Sequence, residues 1–140
     1  MRYAILDANV YIGHWELGWY AADLDQIKRA CIVRHSSVVL SELRRGARTP
    51  AARRRVEGLT RALAVQWAPT ADDWWIAGKL VREIGDACGW EVSKRRDFQN
   101  DALIALTARR HGAAVVTANA SDFALLATRL HIDVVNMRPE

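Results

Sequence analysis

The sequence predicts an α/β fold built on a parallel sheet, and three observations carry that prediction. Short apolar runs recur along the chain without polar alternation, as strands buried on both faces require. Stretches of helical periodicity or of strong helix formers separate these runs. Parallel neighbours need a crossover, usually a helix, so strands alternating with helices imply a sheet covered on both faces.

Tyr3-Ala4-Ile5-Leu6 reads as the first strand, ended by the polar turn Asp7-Ala8-Asn9. Cys31-Ile32-Val33 is the second. It leads to Ser36-Ser37, where a serine caps a helix carrying Val38, Val39, Leu40, Glu42 and Leu43 and ending near Gly46. From Pro50 the apolar positions Ala52, Val56, Leu59 and Leu63 recur at helical spacing among Arg53, Arg54, Arg55 and Arg61, which gives a basic amphipathic helix. Thr70-Ala71-Asp72-Asp73 resembles a capping box, and Ala77, Leu80, Val81 and Ile84 continue one apolar face to Gly85 or Gly89. Residues 100–108 are rich in helix formers and stop at His111-Gly112, which puts Asp101 in the first turn of a helix. Ala113-Ala114-Val115-Val116-Thr117 is the next strand, residues 119–122 a polar loop, residues 123–128 a short helix, and Ile132-Asp133-Val134-Val135 the last strand.

A chain of 140 residues is expected to form one domain, residues 1–140, with a core large enough to need no staples. Its 51% hydrophobic and 26% charged residues match an ordinary globular protein; no run approaches membrane-spanning length and no leader pattern opens the chain, so a cytoplasmic address is expected. Cys31 and Cys88 lie in no CxxC pattern and read as reduced, partly buried thiols. Nor do His14, His35, His111 and His131 share a spacing suited to a metal or a proton relay. Trp15, Trp19, Tyr20, Trp74 and Trp75 are assigned to core and dimer packing in preference to base stacking. A net charge of +4 and a pI near 9.5 fit a polyanionic partner where the charge is clustered.

The chemistry rests on four acids. Asp7, Glu42, Asp101 and Asp122 are distant in sequence, yet each adjoins an apolar run, where an unpaired carboxylate is costly. In a parallel α/β sheet, ligands bind beyond the carboxyl ends of the strands, the edge these acids share. A divalent cation is the common compensation, and Mg²⁺ and Mn²⁺ prefer such hard oxygen ligands. Phosphodiester hydrolysis by an activated water is the natural companion chemistry. In this reading Asp7 is a direct ligand, Asp101 a ligand or general base, and Glu42 a direct or water-mediated ligand. Asp122 or Asn119 completes the shell, with Asn9 and Thr117 orienting waters and carboxylates.

Leu6-Asp7-Ala8-Asn9-Val10-Tyr11-Ile12 resembles the opening motif of PIN-domain ribonucleases, and the stretch from Ser37 to Gly46 around Glu42 resembles their second. Asn100-Asp101-Ala102-Leu103-Ile104-Ala105 is similar to the third, and Thr117-Ala118-Asn119-Ala120-Ser121-Asp122-Phe123 to the fourth. Four motifs in order cover almost the whole chain, and its size resembles free-standing toxins of the VapC type. The resemblance implies a three-layer fold with a parallel sheet of four to five strands, and an endoribonuclease using Mg²⁺ or Mn²⁺. It also implies a homodimer and a cognate antitoxin whose tail enters the acidic groove. One departure is Asn119, a neutral residue at a position where family members can carry the metal-facing acid.

Six arginines lie between Arg44 and Arg55, and Lys94-Arg95-Arg96 stands shortly before Asp101. Cations beside a carboxylate-lined groove can hold an RNA backbone, and Arg44, Arg45, Lys94, Arg95 and Arg96 are the candidate phosphate contacts. Two other classes compete. A receiver-like signalling domain would want paired acids at the first strand and a lysine after a late strand; here Asp7 stands alone and no lysine follows Thr117. A non-catalytic PIN-like module would bind RNA or protein without cutting, and retention of Asp7, Glu42 and Asp101 weighs against it.

Overall fold

The computed structural model describes residues 2–62 and 65–139. Along the chain these form β1 (Arg2–Leu6), α1 (Ala8–Leu17), α2 (Ala21–Ala30), β2 (Cys31–Ser36), α3 (Ser37–Gly46) and α4 (Pro50–Ala62). There follow β3 (Gln66–Trp67), α5 (Ala71–Cys88), α6 (Val92–His111), β4 (Ala114–Thr117), α7 (Ala120–Ala127) and β5 (Asp133–Asn136). The strands make one parallel sheet in the order β3-β2-β1-β4-β5. The α/β class agrees with the sequence pattern, and five parallel strands fall within the four to five that the family resemblance implies. β1 is central: Ile5 pairs with Arg34 on one side and Val115 on the other. The chain runs outward from β1 through β2 to β3, then returns to build β4 and β5 on the opposite side. Strand order therefore reverses at the β1/β4 seam, and the carboxyl ends of those two strands frame a crevice.

The core sits where the apolar runs predict it. Ala4 and Ile5 of β1 and Val115 of β4 have no exposed surface. In the second half of α6, every residue from Ala102 to Ala108 is buried. α5 packs through Ala77, Leu80 and Ile84, starts at a capping box in which Thr70 and Asp73 exchange hydrogen bonds of 3.1 and 3.0 Å, and ends at Gly89 with φ +66°. Of the two glycine stops the sequence offers, the second is used.

Several elements differ from the expectation. Asp7-Ala8-Asn9 is not a free turn: Asp7 caps α1, its side chain accepting from the Ala8 N–H. Residues 8–30 hold two helices that the sequence reading leaves unassigned: α1 buries Ala8, Val10, Tyr11 and Gly13 and shows no clean polar face, whereas α2 is amphipathic, with Leu24 on its buried side. Gly13 is needed there, since a Cβ would lie 2.8 Å from the Tyr20 ring. β3 is too short for a pattern. α6 begins at Val92 and not at Asn100, because Ser93 to Gln99 contribute only Phe98 to the core; Asp101 thus lies at mid-helix and not in a first turn. α7 begins at Ala120, so Asp122 belongs to its first turn and not to a loop. β5 is displaced by one residue from the expected 132–135. Leu63 lies outside the described residues.

Tyr20 is buried, and Trp15 and Trp19 pack against the core as expected, but Trp74 and Trp75 are 51% and 82% exposed and form no part of it. Cys88 is exposed, against the expected partial burial, and Cys31 is half-buried.

Phe98→Ala is expected to cost about 3–5 kcal/mol in urea denaturation, because the ring is wholly buried. Trp75→Ala should stay within about 0.5 kcal/mol. Equal losses at the two positions would contradict the placement of α5 and α6.

Candidate active site

Asp7 stands where β1 meets α1. Its backbone N–H extends the β1/β4 ladder by donating to the Val116 carbonyl at 2.8 Å. Its side-chain Oδ1 accepts from the Ala8 N–H and its Oδ2 from the Thr117 hydroxyl, both at 2.8 Å. Thr117, wholly buried at the end of β4, accepts in turn from the Asn119 N–H at 2.9 Å and from Asn9 Nδ2 at 3.4 Å. Asn9 Oδ1 accepts from the Ala118 N–H at 3.1 Å. Asn9, Thr117 and Asn119 thus form one network that clamps the strand tips around Asp7. Burial pushes the Asp7 carboxyl up, and the bonds from Thr117, Ala8 and Asn9 pull against that rise.

Glu42 arrives from α3, whose cap is Ser36 at the end of β2, accepting from the Val39 N–H at 3.4 Å. Its Oε1 is buried with no hydrogen-bond partner among the described residues. Burial first, then the charges of Asp7 and Asp97, push Glu42 up to about 7, with Asn100 and Arg45 opposing. Asp101, on the inner side of α6, is pushed up to about 8 by burial and then by Asp7, Asp122 and Glu42, with Lys94 opposing. The four sequence-predicted acids are therefore brought within reach of one another's charge at the β1/β4 crevice. Among the described residues, no three His, Cys, Asp or Glu side chains are gathered into a preformed ion cage.

This donor set suits Mg²⁺ or Mn²⁺. It offers hard carboxylate oxygens, an orphaned buried acceptor on Glu42, and carboxyls whose ionisation is resisted by burial and by neighbouring acids. Asp122 is differently engaged. It is buried in the first turn of α7, and its Oδ2 accepts from Lys94 Nζ at 2.6 Å and from Asn119 Nδ2 at 3.0 Å. Asn119 and Asp122 are thus bonded partners in one cluster.

The basic residues divide. Arg44 and Arg45 are exposed on the last turn of α3, and Arg45 lines an open groove of about 220 Å³ with Ser41, Pro69, Trp74 and Asn100. Arg96 is exposed as well. Lys94 is paired with Asp122, and Arg95 turns to α5, bonding the Asp86 carboxylate at 2.8 Å and the Trp90 carbonyl at 2.9 Å while packing on Gly85. Asp97 and Asn100, both beside Glu42, are given no role by the sequence motifs. Asp97 precedes Asp101 by four residues, a same-face spacing that becomes visible once α6 is known to start at Val92.

Solved structures share this architecture. VapBC2 from Rickettsia felis, bound to a promoter DNA fragment, superposes with a TM-score of 0.67 at 22% identity, covering 97% of this chain and 99% of that one. VapBC-1 from nontypeable Haemophilus influenzae gives 0.70 at 19% identity, over 96% and 97%. VapBC-5 from Mycobacterium tuberculosis, a member of the VapBC family of toxin–antitoxin systems, gives 0.60 at 21%, over 98% and 100%. At such identities the likeness is one of fold. No curated protein matches the chain by sequence. The PIN domain family model matches residues 4–128, a span that takes in all four acids and both strand tips of the crevice. With its sheet order, its crevice and this match over most of its length, the chain belongs to the PIN domain family.

Proposed function

We propose that the chain is a divalent-metal-dependent endoribonuclease acting as the toxin of a VapC-type toxin–antitoxin pair. The observation that carries this reading is the mutual charge coupling of Asp7, Glu42 and Asp101 at the point where strand order reverses. Asp7, Glu42 and Asp101 would hold Mg²⁺ or Mn²⁺, which when bound supplies Lewis acidity toward a phosphate oxygen and a water. The hydroxyl of Thr117, held by Asn9 and Asn119, fixes the Asp7 carboxylate in orientation. Asp101, once ionised, is suited either to ligation or to accepting a proton from water, and its raised proton affinity favours the second role. Of the candidate phosphate contacts, Arg44, Arg45 and Arg96 are exposed and would hold the RNA backbone.

The fold shared with proteins described as VapBC complexes supports a cognate antitoxin as partner. The exposed Trp74 and Trp75, beside Gly78, Lys79 and Arg82, make an apolar patch of the kind a second subunit covers, which supports a homodimer. No described helix is long and apolar enough to cross a membrane.

Purified protein should cleave structured RNAs with Mg²⁺ or Mn²⁺ and lose cleavage in EDTA. Asp7→Asn or Asp101→Asn should lower the rate more than about 100-fold. Retardation of RNA on a gel without cleavage under every metal condition would replace the enzyme with a binding module.

Thr117→Val removes the hydroxyl that orients Asp7, and Mn²⁺ affinity measured by calorimetry should fall about 10–100-fold. Unchanged affinity would show that Asp7 needs no such partner.

The folded-state values of Glu42 and Asp101 lie above the ordinary carboxyl range, so the metal-free fold holds extra protons from about pH 4 to about pH 8. Stability of the metal-free protein is therefore expected to fall as pH rises across this interval and to level off above about pH 8, where Asp101→Asn should recover about 1 kcal/mol or more. Metal binding expels these protons, so proton release on adding Mn²⁺ at neutral pH, read in buffers of different ionisation enthalpy, is the companion result. A metal-free stability that is flat from pH 6 to about pH 9 would refute the coupling.

A further inference from the structure

The crevice already contains a cation belonging to the chain itself. Lys94, in the first turn of α6, reaches Asp122 in the first turn of α7, and its Nζ lies 2.6 Å from Oδ2. The contact is sheltered, with the side chains of Lys94 and Asp122 only 36% and 12% exposed. Two further contacts fix its position. Asn119 Nδ2 donates to the same oxygen at 3.0 Å, and the ammonium stands 5.0 Å from the centroid of the Trp90 ring. That ring is itself seated edge-on against the wholly buried Phe98, at 4.7 Å. Along α6, Lys94 and Asp101 are two turns apart, which puts both on one side of the helix.

We infer that Lys94 stands where a second divalent cation would otherwise sit: by occupying Asp122 it withdraws that carboxylate from the ligand set, so that Asp7, Glu42 and Asp101 bind a single ion. The inference rests on the reading of the crevice as a divalent-metal centre. Its physical basis is competition for one carboxylate, whose Oδ2 already carries two donors and whose Oδ1 shares the neighbourhood of the ammonium. A second Mg²⁺ or Mn²⁺ at Asp122 would have to shed part of a tightly held hydration shell and break a sheltered, charge-assisted hydrogen bond. It would also have to settle beside an ammonium that is tethered to the chain and cannot diffuse away. Asp101 feels the Lys94 charge as well, so the lysine supplies part of the positive charge that a second ion would bring.

The test counts ions. Mn²⁺ is titrated into the intact protein and the free ion is read by electron paramagnetic resonance, with folding of each variant checked by circular dichroism. The wild type is expected to bind one Mn²⁺ per chain, Lys94→Gln two, and Lys94→Gln combined with Asp122→Asn one again. Lys94→Arg, which keeps the charge, should stay at one. Asp122→Asn alone should also keep one ion, with affinity within about tenfold of wild type, whereas Asp7→Asn should lose it. Two ions in the wild type, one in Lys94→Gln, or loss of the ion in Asp122→Asn would each overturn the inference and leave the metal centre standing. No ion in the wild type would remove the metal centre itself and the inference with it.

Discussion

The hydrogen bond from Thr117 to Asp7 is the constraint on which the rest of the site depends. It joins the tips of β1 and β4 at the seam where strand order reverses, and both partners are almost wholly removed from solvent. A carboxylate in such a place is expensive, and each hydrogen bond donated to it recovers about 1.5–3 kcal/mol. The recovery is partial, for burial still dominates the ionisation of Asp7. Its charge then disturbs Glu42 and Asp101, whose own ionisation is already resisted. The fold stores unfavourable electrostatics in one crevice, and a bound cation would relieve it. Stability is thereby given up in the place where binding requires it.

The main lines of the fold are legible in the sequence because fully buried strands and capped helices leave strong local marks. Tyr3 to Leu6 and Ala113 to Thr117 can be read as strands directly, and the Ser36 cap and the Thr70/Asp73 box locate two helix starts. The losses have equally local causes. α1 turns apolar groups toward several neighbours and therefore lacks a 3.6-residue stripe, and β3 is two residues long. The first half of α6 is a surface helix with a single apolar anchor, Phe98, so nothing in its polarity shows that the helix continues upstream of Asn100.

The candidate site can be proposed from residue type and strand ends alone. Asp7, Glu42 and Asp101 could be chosen because each acid abuts an apolar run, and the same reasoning finds Thr117 and Asn9 beside them. Pairing was not legible. Whether Lys94 serves a phosphate or Asp122, and whether Arg95 faces the crevice or α5, depends on the direction of α6 relative to its neighbours, which single-residue chemistry does not encode. Asp97 went unnoticed for the same reason, since its nearness to Glu42 exists only across the α3/α6 contact.

α6 is one uninterrupted helix from Val92 to His111, and it carries the ammonium, the mid-helix carboxylate and much of the core on a single rod. Each residue advances such a rod by about 1.5 Å and turns it by about 100°. Inserting or deleting one residue between Lys94 and Asp101 would swing one of the two out of the crevice while leaving the other in place. Over this interval the length of the chain is fixed as firmly as the identity of its two end residues, and a change of length is better borne by the loops between elements.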